Sequence, residues 1–260
     1  MAAIAKREVG VPRTGVEELI LTVRRVSQPS VRDVLLVGLT FSSGAVDAIT
    51  FLALGKVFTA FMTGNLVFLG LGLAGAEVAD VLRVAVSLAA FAAGVAVAAR
   101  IVRASRGSRI WPGRVSIALG LAVLAEAGFL AGWVVTSGRP STGAGDLLVA
   151  LIAFAMGTQS GAVMSLDVKG VFTTAATASL MFLMSDVAAW ADSALQRRRL
   201  AAVIGALVAG AASGALLILH ARSYAPILPL VAAGLVIATA SVALRPPSRT
   251  SPQKENDLND

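Results

Sequence analysis

Cysteine is absent from this sequence, histidine and tyrosine occur once each, and charged residues make up only 14% of its 260 positions. The missing cysteines exclude a disulfide framework and thiol chemistry. One histidine without cysteine cannot build the usual zinc or Cys–His sites. Gly-x-Ser-x-Gly does not occur, and His220 closes an apolar run next to Arg222 rather than sitting inside one. An intramembrane hydrolase needs a nucleophile beside an activating base, so the chain reads as a non-enzyme, with no catalytic, metal or cofactor residue expected. Aromatics are 5% of the chain and do not interleave with the basic residues. A surface for base stacking, and nucleic acid as a partner, are therefore not expected.

Apolar residues are abundant: 57% of the chain, with a mean hydropathy of +0.81. Uncharged runs cover 57–76, 147–166, 200–219 and 223–244. About 20 apolar residues cross a bilayer as a helix, so an all-α, multi-pass membrane protein follows. The first ten residues, MAAIAKREVG, lack a sustained apolar core and are not expected to be a cleavable signal. With no outer-membrane strand pattern, the inner (plasma) membrane is the expected location. The net charge of +7 sits mainly in short segments flanking the apolar runs, where loop topology accounts for it.

Val57-Phe58-Thr59 recurs as Val171-Phe172-Thr173, and seven of the 13 positions from Val57 to Leu69 are identical in Val171 to Leu183. Apolar composition alone gives on the order of one such match. Similar offsets relate Gly44 to Gly157, Lys56 to Lys169, Gly94 to Gly210, Pro112 to Pro226 and Gly120 to Gly234. Residues 31–137 and 146–245 therefore read as two copies of one unit, joined by a linker at 138–145. Residues 1–30 form an N-terminal tail and 246–260 a polar C-terminal tail expected to be disordered. Within the first tail, 14–27 has the pattern of an amphipathic surface helix, with Thr14 and Glu17 placed as a capping box.

Each copy holds four apolar segments, and two topologies follow. If all eight cross, the copies are parallel four-helix repeats. If the VFT segments do not cross, each copy has three transmembrane helices plus one re-entrant segment, and the second copy is inverted. With the N-terminus in the cytoplasm, eight spans place 14 Lys and Arg inside and 8 outside. Six spans place 18 inside and only Lys56, Arg83, Arg139 and Arg222 outside. The positive-inside bias favours six spans, with both termini cytoplasmic.

In such an inverted repeat a transport site lies near the midplane. The two VFT segments would enter from opposite faces, bringing Thr59, Thr63, Gly64 and Asn65 towards Thr173, Thr174, Thr177 and Ser179. Hydroxyls and an amide there suit a small polar solute or ion. Asp47, inside the first span, reads either as a pore-lining carboxylate or as a structural hydrogen-bond acceptor; Ser160, next to Gln159, is its repeat partner. Lys56 could pair with Asp47 only if the chain folds back. Glu126, matched by Ala240, is a candidate proton site, with a packing role as the alternative. The function expected is a channel or transporter. The rival is a non-transporting scaffold, sensor or assembly partner. The partners expected are the bilayer, the solute and a second copy of the chain; Gly205, Gly210 and Gly214 give small-residue faces for close helix packing.

"GAVDAITFLALGKVFTAFMTGNLVFLG" together with "AFAMGTQSGAVMSLDVKGVFTTAATASLMFL" resembles the YoaK-like family of bacterial integral membrane proteins. The resemblance rests on Gly44, Asp47, Ala48, Phe58, Met62, Thr63, Gly64 and Asn65 in the first half, and on Gly157, Gln159, Thr173, Thr174 and Thr177 in the second. The second half departs from the family pattern at Ser160, Gly161 and Ala178. The resemblance covers about residues 30–245 and implies the membrane class without a biochemical activity.

Overall fold

A computed structural model describes residues 28–76, 79–103, 111–168, 176–188 and 194–244. The amphipathic stretch 14–27, Glu77, Arg106, Arg109, Thr173, Thr174 and the C-terminal tail lie outside these residues. Eight α-helices are described: α1 Gln28–Ala53, α2 Met62–Leu73, α3 Val81–Val102, α4 Gly113–Val135, α5 Thr142–Met164, α6 Ala176–Ala188, α7 Ala194–His220 and α8 Ile227–Ala243. A 3₁₀ turn, Arg222–Tyr224, precedes α8. α5 begins at Thr142, so the connection from α4 is shorter than the linker read from the sequence.

Length separates the helices into two kinds. α1, α3, α4, α5, α7 and α8 are the six helical segments long and apolar enough to cross a membrane among the described residues. α2, with 12 residues, rises only about 18 Å, short of a hydrocarbon core of about 30 Å; α6 has 13. Local chemistry sets several starts. Asp80 caps α3, its Oδ1 accepting from the Arg83 amide at 3.1 Å. Pro112 and Pro226, the repeat-related prolines, stand just before α4 and α8.

The buried residues form two clusters. One gathers the end of α1 (Val46, Ile49, Leu54) with the start of α3 (Val84), the later part of α4 (Phe129, Trp133) and the first half of α5 (Leu148, Val149). The other gathers the start of α1 (Leu35, Leu36, Leu39) with the later part of α3 (Ala98), the start of α4 (Val115) and the end of α5 (Ala162, Val163). Arg83 gives the first cluster's end of the bundle a fixed point. Its guanidinium donates to Leu54 O, at the end of α1, and to Thr142 O, at the start of α5. The chain therefore leaves α1 and enters α3 at the same end, with α2 in between.

The most extensive helix contacts are α1 with α7 and α3 with α5. Both are made at glycines, and in repeat-related register. A Cβ on Gly44 would overlap Leu207 O, and one on Gly210 would overlap Phe41 O. In the other pair, a Cβ on Gly157 would overlap Phe91 O, and one on Gly94 would overlap Phe154 O. Phe154 follows Phe41 at the same spacing of 113 as Gly157 follows Gly44; Leu207 follows Phe91 at the spacing of 116 that relates Gly94 to Gly210. Small residues let backbones approach in this way in membrane helices. Gly157→Val should therefore destabilise the bundle by about 1–3 kcal/mol through overpacking. Gly234→Val, where a Cβ meets nothing within 4 Å, should leave it unchanged. Thermal unfolding of the two variants in detergent reads the difference.

Candidate functional site

The polar residues singled out in the first repeat come together where α1 turns back. Gly55 and Lys56 adopt positive φ values of +89° and +58°, and the chain from Val57 to Phe61 runs non-helically before α2 begins. The Asp47 carboxylate receives this segment. Oδ1 accepts from the Thr59 and Ala60 amides at 2.8 Å each, and Oδ2 accepts from the Phe61 amide at 2.9 Å. An anion facing consecutive amides at a helix start satisfies donors that the helix cannot. Asp47 is thus bound to backbone and not to Lys56, which is exposed.

Asn65, fully buried, secures the same segment from α2. Its Oδ1 accepts from the Phe58 amide at 3.0 Å, while Nδ2 donates to Phe58 O at 2.6 Å and to Ser87 Oγ of α3 at 3.2 Å. Ser87 Oγ in turn donates to Phe58 O at 2.7 Å. The Asn65 amide therefore pairs with one residue's N–H and C=O together, as a neighbouring strand would. Gly64 is small because the Phe58 and Phe61 rings lie against it. Phe51 and Phe68 stack on Phe58, with centroids 4.9 and 5.8 Å away. Thr59 is buried, and Thr63 is exposed.

Of the expected meeting of the two VFT segments, Thr173 and Thr174 lie outside the described residues, and the two short helices that follow pack elsewhere. α2 packs mainly on α3, and α6 on α7. Thr177 is exposed and Ser179 buried. The Asn65 amide is already occupied by Phe58 and Ser87.

Gln159 and Glu126 are among the polar side chains buried inside the long helices. Gln159 of α5 donates from Nε2 to Ser43 Oγ of α1 at 2.9 Å, and Leu39 O lies 3.4 Å away. Glu126, in the middle of α4, is 2% exposed, and neither carboxylate oxygen has a hydrogen-bond partner among the described residues. No group of three or more His, Cys, Asp or Glu suited to a metal is found among them.

Sequence reasoning missed a pair of ion pairs. Arg83 Nε lies 2.6 Å from Asp146 Oδ1, joining α3 to α5. Arg199 NH1 lies 3.5 Å from Asp33 Oδ2, joining α7 to α1. Arg199 and Arg83 are 116 residues apart, and Asp146 and Asp33 are 113 apart, the same spacings as the glycine contacts. Applying the repeat register to charged residues would have found them.

The site lies in a recognisable sequence context. A family model described as "Protein of unknown function (DUF1275)" matches residues 35–241. The UPF0700 transmembrane protein YoaK of Bacillus subtilis (strain 168) is 34% identical over 156 residues, covering 60% of this chain and 67% of that protein. No solved structure matches. The expected YoaK-like resemblance is borne out by both matches. Because the family match spans well over half of its residues, on the same six apolar helices described above, the chain belongs to the DUF1275 family of membrane proteins.

Proposed function

We propose that this protein is a non-enzymatic carrier for a small polar solute or ion in the bacterial inner membrane, built from two inverted repeats. Several features support the inverted arrangement. α2 is too short to cross, and the end of α1 and the start of α3 share one end of the bundle, so residues 54–80 would enter and return. The non-helical stretch 57–61 is held by Asp47 and Asn65, as backbone at membrane depth must be. α6 occupies the corresponding place in the second repeat. Lys56, Arg83, Arg139 and Arg222 would then mark the periplasmic side, with both termini cytoplasmic.

The helix contacts suggest how such a carrier would move. α5 of the second repeat packs with α3 and α4 of the first, and α1 of the first packs with α7 and α8 of the second. Two three-helix units result, each stapled by one of the repeat-related ion pairs. They meet more narrowly, through α4 against α8 and through the Gln159–Ser43 bond. Rocking of one unit against the other is a common transport motion in inverted-repeat folds. The close glycine crossings favour a carrier that opens one side at a time over an open channel.

The single observation that carries this reading is Glu126. A carboxylate buried mid-span without a hydrogen-bond partner is costly and marks a functional site by default. Proteoliposomes enclosing a pH-sensitive dye and challenged with gradients of Na⁺, K⁺ or small organic cations test it. Gradient-driven proton or solute movement is expected, at least tenfold slower in Glu126→Gln and unchanged in Thr63→Ala. The rival reading, a scaffold or assembly partner, draws on the consumption of Asp47 and Asn65 by backbone; it predicts no movement in any of the three proteins.

A further inference from the structure

The bundle end opposite Leu54 and Arg83 carries a cavity of about 420 Å³ between α3 and α5. That volume falls within the range of small-molecule sites, roughly 300–1,000 Å³. Val95, Ala99 and Met164 give it apolar walls, and Arg103, Ser165 and Asp167 bring polar groups to its lining. Arg103 and Asp167 are both exposed. Although they share one cavity and carry opposite charges, they do not form an ion pair with each other. Nor does either side chain have a hydrogen-bond partner among the described residues.

A second feature orients the charge pattern. α3 ends at Val102 and α5 at Met164, and both of these terminal residues line the cavity. Two helix C-termini therefore converge there, and each favours a nearby cation. Asp167, just past α5, adds a full negative charge on that side, while Arg103, just past α3, supplies the matching positive one. Guanidinium suits a carboxylate or phosphate because its planar donors can engage two oxygens.

We propose that this cavity binds a small zwitterion with an apolar portion. Its ammonium would sit by Asp167 and the converging helix ends, its anionic group on Arg103, and its apolar part against Val95, Ala99 and Met164. Two sources share this chemistry: a free amino acid with an apolar side chain, and the headgroup of phosphatidylethanolamine with the start of its acyl chains. The site does not rest on the transport reading, because it would bind in a scaffold as well as in a carrier.

The full chain, purified in detergent, separates these sources. Titration calorimetry with L-leucine reads the free amino acid, and native mass spectrometry after incubation with dioleoyl-phosphatidylethanolamine reads the lipid. Saturable binding of at least one is expected, weakened at least tenfold in both Arg103→Gln and Asp167→Asn and unchanged in Thr63→Ala. Loss in the leucine arm assigns the site to an amino acid, and loss in the lipid arm to a membrane lipid. Three results overturn the proposal: no binding of either probe to the wild type, binding by both variants as tight as the wild type's, or loss in only one variant, the mark of a simple ion site. Since both side chains are exposed, the variants should fold; thermal unfolding of each checks this independently of binding.

Discussion

Asp47→Ala is expected to lower the stability of the protein by several kcal/mol and to open residues 55–61 to proteolysis. The carboxylate holds the amides of Thr59, Ala60 and Phe61 at 2.8–2.9 Å. Each buried donor left without a partner costs about 1–3 kcal/mol. Thr59 and Ala60 are buried, so water cannot easily replace the lost acceptor. Asp47→Asn should be milder, because its remaining carbonyl oxygen can still accept from part of this set. Thermal unfolding in detergent and limited proteolysis would measure both. An Asp47→Ala protein with unchanged unfolding and no new cleavage would mean that the carboxylate is not what fixes the turn.

Glu126→Leu should have the opposite sign on stability and the larger effect on function. The wild-type carboxyl is 2% exposed, and neither oxygen has a partner among the described residues. Replacing it with an apolar side chain of comparable size removes an unsatisfied group, a gain of about 1–3 kcal/mol. The same change removes the only interior carboxylate in α4 and should abolish any flux. A stabilising substitution that eliminates activity is the signature of a residue kept for function rather than fold. If Glu126→Leu destabilised the protein instead, the carboxyl would have to be a packing element, and the carrier reading would lose its main support.

Much of the fold was readable because bilayer crossing imposes length. The runs around α5, α7 and α8 announced themselves by the absence of charge, and the repeat was visible in Val57-Phe58-Thr59 and Val171-Phe172-Thr173. The glycine pairs Gly44/Gly157 and Gly94/Gly210 were matched in the sequence, but what they touch was not readable there: Gly44 and Gly210 lie where α1 meets α7, and Gly157 and Gly94 where α3 meets α5. Only three-dimensional packing shows that exchange.

The candidate site was legible as a set of residues and not as a geometry. Asp47 and Asn65 were both identified, yet their partners are backbone groups of Phe58, Thr59, Ala60 and Phe61, which carry no side-chain signal in sequence. The Asn65 amide was expected to face a solute, and Asp47 to line a pore or to serve as a structural acceptor; both are occupied in holding the turn. Arg83 and Arg199 were counted only as loop charges, since topology rules treat every Arg alike. The ion pairs to Asp146 and Asp33 became visible once each was placed at a helix end.

Labelling of single cysteines introduced into this cysteine-free chain tests the architecture most directly. Lys56 and Ala76 are exposed on either side of α2, and Arg103 is exposed at the far end of α3. In intact cells, a membrane-impermeant maleimide should label Lys56→Cys and Ala76→Cys from the periplasmic side, and Arg103→Cys only after the membrane is opened. Labelling of Lys56→Cys and Ala76→Cys from opposite sides would make α2 a crossing helix and contradict the inverted, six-span account.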